Sequence, residues 1–320
     1  MVKKRLIWIM LLVIFNFTFL FPLTFAQTQE QVIEEFLIEQ ELKDKLEKTI
    51  PFLEESSDDV VFVDSTSGYL YSKNYGLHTF DTYTVSVDNT ITFKDGTVIS
   101  VPSEIDYMGL ETESSDVGIL AIYEPYRRVK SNQGYRKVEG TIQVPRSSDL
   151  NGVSSSGEAA YNYFGLERSW RNLEYGIYTA PGLNKGWKVF YNFNGTWGSP
   201  NWPSSPILPA SSVFMRLYVP QDNQIAFYIS YSGGSTTFVH DCDGTRYDGN
   251  QTILRRVTSL LTNQTGAYSK NNKWSNVYIA TPSLNSLWQP SHTAETTTTV
   301  YTTAVETNPY YNETVNCEIP

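Results

Sequence analysis

Apolar side chains along the chain recur first at helical intervals and then at every second position. Val32, Phe36, Leu42, Leu46, Ile50 and Leu53 follow the first rhythm, and Thr28-Gln29-Glu30-Gln31 has the form of a capping box. The spacing predicts an amphipathic helix over 28–50 that ends before Pro51. The charges from Glu34 to Lys48 belong to its solvated face or, alternatively, to a surface that meets a partner. The acidic and serine run from Glu54 to Asp59 reads as a linker, which closes an N-terminal unit over 27–59. From Val60 the period falls to two. Alternating runs at 82–87 and 91–101 flank Lys94-Asp95-Gly96-Thr97, and Asp-Gly supplies the positive φ angles of a tight hairpin. Residues 60–115 therefore form a small β module, bounded by the polar run from Glu111 to Asp116.

Beyond it, short strands are predicted at 118–123, 135–144, 159–167, 173–178, 187–193, 213–219, 224–231, 236–240 and 274–280, with Gly, Pro and Asn turns between them. Ile253 to Leu261 has helical spacing and reads as a short helix. Thr293 to Thr307 reads as a stalk or, given Val300, Tyr301 and Val305, as a strand tied back to the body. The fold class is mainly β: a two-sheet antiparallel jelly-roll sandwich over 116–320, preceded by the helix and the small module. Alternation assigns four core faces: Val138, Gly140, Ile142 and Val144; Val189, Tyr191 and Phe193; Val213, Met215, Leu217 and Val219; and Ile225, Phe227 and Ile229.

The opposite positions of these strands hold neither plain surface charge nor a second core. They carry Lys137, Glu139, Thr141 and Gln143; Tyr161, Tyr163 and Glu167; Glu174 and Tyr178; Lys188 and Asn192; and Arg216, Tyr218, Tyr228 and Ser230. Aromatic rings pack on the C–H faces of a sugar while amides and charges meet its hydroxyls, so a face of this kind suits carbohydrate. The alternative is that the tyrosines pack beneath a loop layer. Tyr161, Tyr163, Tyr178, Arg216, Tyr218 and Tyr228 are the ligand-binding candidates, joined by Trp197 and Trp202 in a turn-rich loop. The order Tyr135 to Pro145, then tyrosine-rich strands, then Val213 to Pro220 with its return strand, resembles the concanavalin A-like lectin and glucanase superfamily in strand rhythm. That resemblance implies a bent sandwich, one face of which binds or cleaves polysaccharide. The Glu-x-Asp-x-x-Glu-like strand of its glucanases is absent, so the resemblance brings no catalytic residues with it.

One carboxyl pair keeps catalysis open. If residues 169–172 turn tightly, Glu167 and Glu174 stand directly opposite, with Cβ atoms about 4.5–5.5 Å apart. A retaining glycosidase needs carboxyl groups about 5 Å apart. Arg168 and Arg171 could instead neutralise them as surface ion pairs. Asp241 and Asp243, with Asp248, offer oxygens for calcium but lack a full ligand set and read better as a turn. His78, His240 and His292 have no metal spacing, and no nucleophile elbow or phosphate loop is present. No cofactor and no metal are expected. Asn194, Asn250, Asn263 and Asn312 stand in Asn-x-Thr sequons.

Charge and targeting place the chain. Its 320 residues carry a formal net charge of -10, which gives no general attraction to nucleic acid. Lys3, Lys4 and Arg5 precede an apolar run from Leu6 to Phe25 and then Ala26, the pattern of a secretory signal over 1–26; a retained membrane anchor is the alternative. Cleavage there would take the charge from -10 to -13 and leave a secreted protein without membrane attachment. In that compartment the two cysteines, Cys242 and Cys317, are expected to form one disulfide. The leading function is a secreted protein that binds extracellular or cell-surface polysaccharide. The alternatives are a retaining glycoside hydrolase using Glu167 and Glu174, and a non-catalytic surface protein.

Overall fold

The computed structural model of the chain describes residues 23–102, 124–153, 157–168, 171–200 and 206–320. The greater part of the expected signal, the strand expected at 118–123 and the boundary at 111–116 lie outside these residues. Helix α1 (Leu23–Thr49) forms where the apolar spacing predicts and gives way at Pro51 to a single 3-10 turn, Ile50–Phe52. Leu42 and Leu46 are buried, while Val32, Phe36 and Leu37 stay exposed, so only the second half of the helix packs on the body.

In chain order the strands begin with β1 (Asp59–Asp64), β2 (Tyr69–Ser72), β3 (Gly76–Thr79), β4 (Thr82–Thr84), β5 (Thr90–Thr92) and β6 (Val98–Ser100). There follow β7 (Tyr126–Ser131), β8 (Lys137–Gln143), β9 (Leu150–Asn151), β10 (Ala159–Arg168), β11 (Arg171–Thr179), β12 (Lys188–Phe193) and β13 (Thr196–Gly198). Next are β14 (Ser212–Tyr218), β15 (Gln224–Tyr231), β16 (Gly234–Asp241), β17 (Ile253–Leu261) and β18 (Tyr268–Ala280). The chain closes with β19 (Asn285–Leu287), β20 (Thr293–Thr298), β21 (Thr302–Asn308) and β22 (Asn312–Glu318).

These strands build a mainly β, two-sheet sandwich. One sheet has twelve strands, ordered β21-β22-β18-β8-β14-β15-β16-β1-β2-β3, with β9 and β19 also paired to β18. The other has eight, ordered β20-β7-β17-β10-β11-β12-β13-β4. Pairing is antiparallel except between β1 and β16. The four core faces read from the sequence meet between the sheets, where Val138, Ile142, Tyr191, Met215, Leu217, Phe227 and Ile229 are all fully buried. Residues 60–100 do not pair only among themselves: β1–β3 extend the larger sheet, β4 extends the smaller, and β5 and β6 form a separate hairpin. The Asp95-Gly96 turn closes that hairpin, with Gly96 at φ 85°.

Three expectations are corrected. Residues 253–261 are not a helix but β17, a central strand of the eight-stranded sheet. Its Leu254, Arg256, Thr258 and Leu260 point between the sheets, and the buried Arg256, ion-paired to Glu313 of β22, hides the period of two. The Thr-rich stretch is not one strand but two, β20 and β21, which belong to different sheets. Finally, Cys242 and Cys317 are buried and the expected disulfide between them is not formed. Cys317 lies in β22 and Cys242 just after β16, five strands along the same sheet, or about 24 Å at the usual strand spacing. A disulfide needs Cα atoms within about 7 Å.

Candidate functional site

The sequence candidates lie on two faces that point away from each other. Tyr161, Tyr163, Glu167, Glu174 and Tyr178 share the outer face of the eight-stranded sheet, where β10 pairs with β11 as Tyr161↔Tyr178, Tyr163↔Gly176, Gly165↔Glu174 and Glu167↔Asn172. Glu167 and Glu174 are therefore not directly opposite but offset by two residues. Arg255 of β17 lies between them, with Nη1 3.1 Å from Glu167 Oε1 and Nη2 3.3 Å from Glu174 Oε1, and Nη2 also donates to Asn172 Oδ1. Lys130 of β7 donates to Glu167 at 3.2 Å, and the Asn192 amide donates to Glu174 at 3.2 Å. This lateral row exists because residue 165 is glycine: a Cβ there would stand 2.6 Å from Arg255 Nε.

Beside this ionic row the face is sealed. The β5–β6 hairpin sets Ile91, Ile99 and Val101 on Tyr161, Tyr163, Tyr178, Phe190 and Trp197, all of which are buried. Tyr161 donates its hydroxyl to the Ser100 carbonyl at 2.6 Å, and Trp197 meets Tyr178 edge-on at 5.2 Å. Burial, reinforced by the neighbouring Glu174 charge, pushes the Tyr163 phenol well above its ordinary value. These rings form a second core beneath a cover and present no stacking surface. Trp202 lies outside the described residues.

Arg216, Tyr218 and Tyr228 sit on the outer face of the twelve-stranded sheet, in the row Tyr278–Glu139–Arg216–Tyr228 and its neighbour Lys137–Tyr218–Ala226. Part of this face is covered. Leu42 and Leu46 of α1 pack on Phe62, Tyr218, Ala226 and Val239. The acidic linker then runs across the strands: Glu54 pairs with Arg136 at 2.7 Å and Lys137 at 2.8 Å, and Glu55 pairs with Arg216, which also holds Glu139 at 2.5 Å. Farther along, Asp58 accepts from the Ser235 backbone at 2.8 Å. Burial raises the Glu55 carboxyl above its ordinary value more than Arg216 lowers it. Burial acts on Glu54 in the same sense, but hydrogen bonding and charge from Lys137 and Arg136 outweigh it and hold that carboxyl below its ordinary value.

Past the linker the described residues leave the face partly exposed. Phe214, between core residues Val213 and Met215, points outward half-buried and meets Tyr228 edge-on with ring centroids 5.9 Å apart. The Arg216 guanidinium lies 5.5 Å from the Phe214 ring centroid. Around the pair, register places Thr141, Ser275 and Ser230 in one row and Gln143, Lys273 and Ser212 in the next. Gln143, Lys273 and Ser212 are exposed. Sequence reasoning did not single out Phe214, although its alternation with Val213 and Met215 is the signal that could have found it.

The remaining candidates are structural in geometry. Asp241 is held by Lys45 at 3.1 Å and by Gln224 at 3.2 Å, and among the described residues no three His, Cys, Asp or Glu side chains converge on a metal position. His240 is buried 3.2 Å from the Tyr175 hydroxyl, and burial drives its pKa down to about 3. No described helix is long and apolar enough to cross a membrane.

No family model matches the chain, and no curated protein matches it in sequence. Among solved structures it is similar to scytalido-glutamic peptidase bound to a transition state analog inhibitor, at 9% identity and TM-score 0.43, over 62% of this chain and 100% of that one. It is similar also to SCP-B of the Eqolisin family of peptidases, at 8% identity and TM-score 0.39 over the same shares. A CBM2 module of a Lactobacillus casei phage Dit matches 41% of this chain and 63% of that one, at 11% identity and TM-score 0.20. Likeness at this level transfers no activity or ligand.

Proposed function

We propose that this protein is an exported, carbohydrate-binding β-sandwich whose ligand lies on the partly exposed outer face of the twelve-stranded sheet. The observation that carries this reading is the Phe214–Tyr228 pair, half-buried on the outer face among Thr141, Gln143, Ser230 and Lys273. Rings of this kind offer apolar faces to sugar C–H groups, while the surrounding hydroxyls, amide and ammonium serve its hydroxyls. The strand rhythm shared with the concanavalin A-like superfamily points the same way. Glycoside cleavage by Glu167 and Glu174 has less support, because the Arg255 guanidinium fills the gap a glycosidic bond would occupy and Glu174 is fully buried.

A glycan array on the purified protein, followed by a reducing-sugar assay on positive polymers, tests the reading. Phe214→Ala is expected to weaken binding of an array-positive glycan about five- to hundredfold, the effect of losing about 1–3 kcal/mol, with the fold intact and no reducing sugar released. Loss of sugar release in Glu174→Gln, together with unchanged binding in Phe214→Ala, would move the function to the other face.

A further inference from the structure

A cavity with cationic side chains in its lining lies along the strands that carry the aromatic pair. β8 leaves the sheet after Gln143, and between Ser269 and Asn272 the register of β18 shifts, with Asn271 at φ 59°. These irregularities open a cavity of about 240 Å³ lined by Gln143, Arg146, Asp149, Asn271 and Lys273 among others. It is smaller than the roughly 300 Å³ at which pockets for whole small ligands begin, and so suits one unit of a chain. It lies one step along the sheet from the aromatic pair: Lys273, Gln143 and Ser212 form one row across β18, β8 and β14, and Phe214 lies two residues farther along β14, roughly 7 Å at the usual strand rise.

Four other cations of this sheet are already engaged. Arg136 and Lys137 hold Glu54, Arg216 holds Glu55 and Glu139, and Lys270 holds Glu318 at 2.6 Å. Arg146 and Lys273 have no carboxylate within ion-pair distance among the described residues, and the only carboxylate in the cavity lining is Asp149. Among the described residues, two cations without an ion-pair partner and one carboxylate give the cavity lining a positive balance in a chain whose net charge is -10. A guanidinium fork and an ammonium lining one cavity match a carboxylate or sulfate, while Gln143, Asn271 and Asp149 can take the hydroxyls beside it.

We propose that this cavity binds the anionic group of an acidic sugar, carboxylated or sulfated, within a saccharide chain that stacks on Phe214. The proposal rests on the carbohydrate reading above. Calorimetric titration of the purified protein with oligogalacturonate, its methyl ester, a sulfated dextran oligosaccharide and a neutral β-glucan oligosaccharide tests it. At least one acidic ligand is expected to bind about tenfold or more tightly than the neutral ones, with an advantage that shrinks as salt is raised. Which of the two acidic ligands it is separates the carboxylate from the sulfate. Arg146→Gln should remove most of that advantage and leave neutral binding unchanged, Lys273→Gln should remove most of it as well, and Phe214→Ala should weaken acidic and neutral ligands alike. Equal affinity for acidic and neutral ligands, or an acidic preference untouched by both cation variants, would overturn the acidic-sugar proposal while a loss in Phe214→Ala still upheld the carbohydrate reading. Absence of binding to any saccharide would overturn both.

Discussion

Glu174 is fully buried in a sheet face, and its tolerance rests on Arg255, Asn192 and Tyr163 around it. Removing one partner of such a buried pair strands the other charge, so Arg255→Ala is expected to destabilise the protein by about 3–5 kcal/mol in urea denaturation. Gly165→Ala should do less, because the atoms its Cβ meets first belong to the movable guanidinium of Arg255. Gly176→Ala should do more, because its Cβ would lie 2.3 Å from the Asn162 carbonyl oxygen and 2.5 Å from the Tyr163 Cα. A ranking with Gly165→Ala as the most damaging of the three would contradict the clamp geometry. His240 makes a second residue-scale prediction. Its folded pKa of about 3 lies below the ordinary 6.5, so unfolding takes up a proton between these values. The stability it contributes is complete above pH 6.5 and is lost as pH falls toward 3, by about 1.4 kcal/mol per pH unit. His240→Gln should flatten the stability profile between pH 6 and 4; an unchanged slope would show that other groups govern it.

At the scale of elements, alternation was legible wherever one face met the inter-sheet core and the other met solvent or the linker. That holds for β8, β14 and β15, whose inward residues were read correctly from sequence. It failed where both faces are buried. In β10 every residue from Ala159 to Leu166 is buried, so Tyr161 and Tyr163 looked like a binding surface although the β5–β6 hairpin covers them. It failed also in β17, whose apolar residues at 253, 254, 257, 260 and 261 mimic a helical stripe because Arg256 and Thr258 occupy interior positions. Arg256 is satisfied there by Glu313, and Thr258 by Asn162 and Trp274, partners from distant parts of the chain. No local pattern could announce these pairings. The acidic linker likewise read as a spacer, because its basic partners Arg136, Lys137 and Arg216 lie more than eighty residues away.

For the molecule as a whole, the sequence pattern specified two sheets and a leading helix but not which candidate residues would share a face, since that depends on strand order rather than on strand identity. The same strand order separates the cysteines, so both thiols are expected to alkylate in unreduced, denatured protein; an intact mass two hydrogens short would contradict the sheet order. The central claim is that ligand lies on the outer face of the twelve-stranded sheet. Hydroxyl-radical footprinting of the protein with and without an array-positive saccharide tests it most directly. Ligand should protect Phe214 and Tyr228 and leave Tyr163 and Phe190 unchanged, because those rings are already covered. Protection confined to β10, β11 and β17, with Phe214 and Tyr228 oxidised as in the free protein, would contradict the claim.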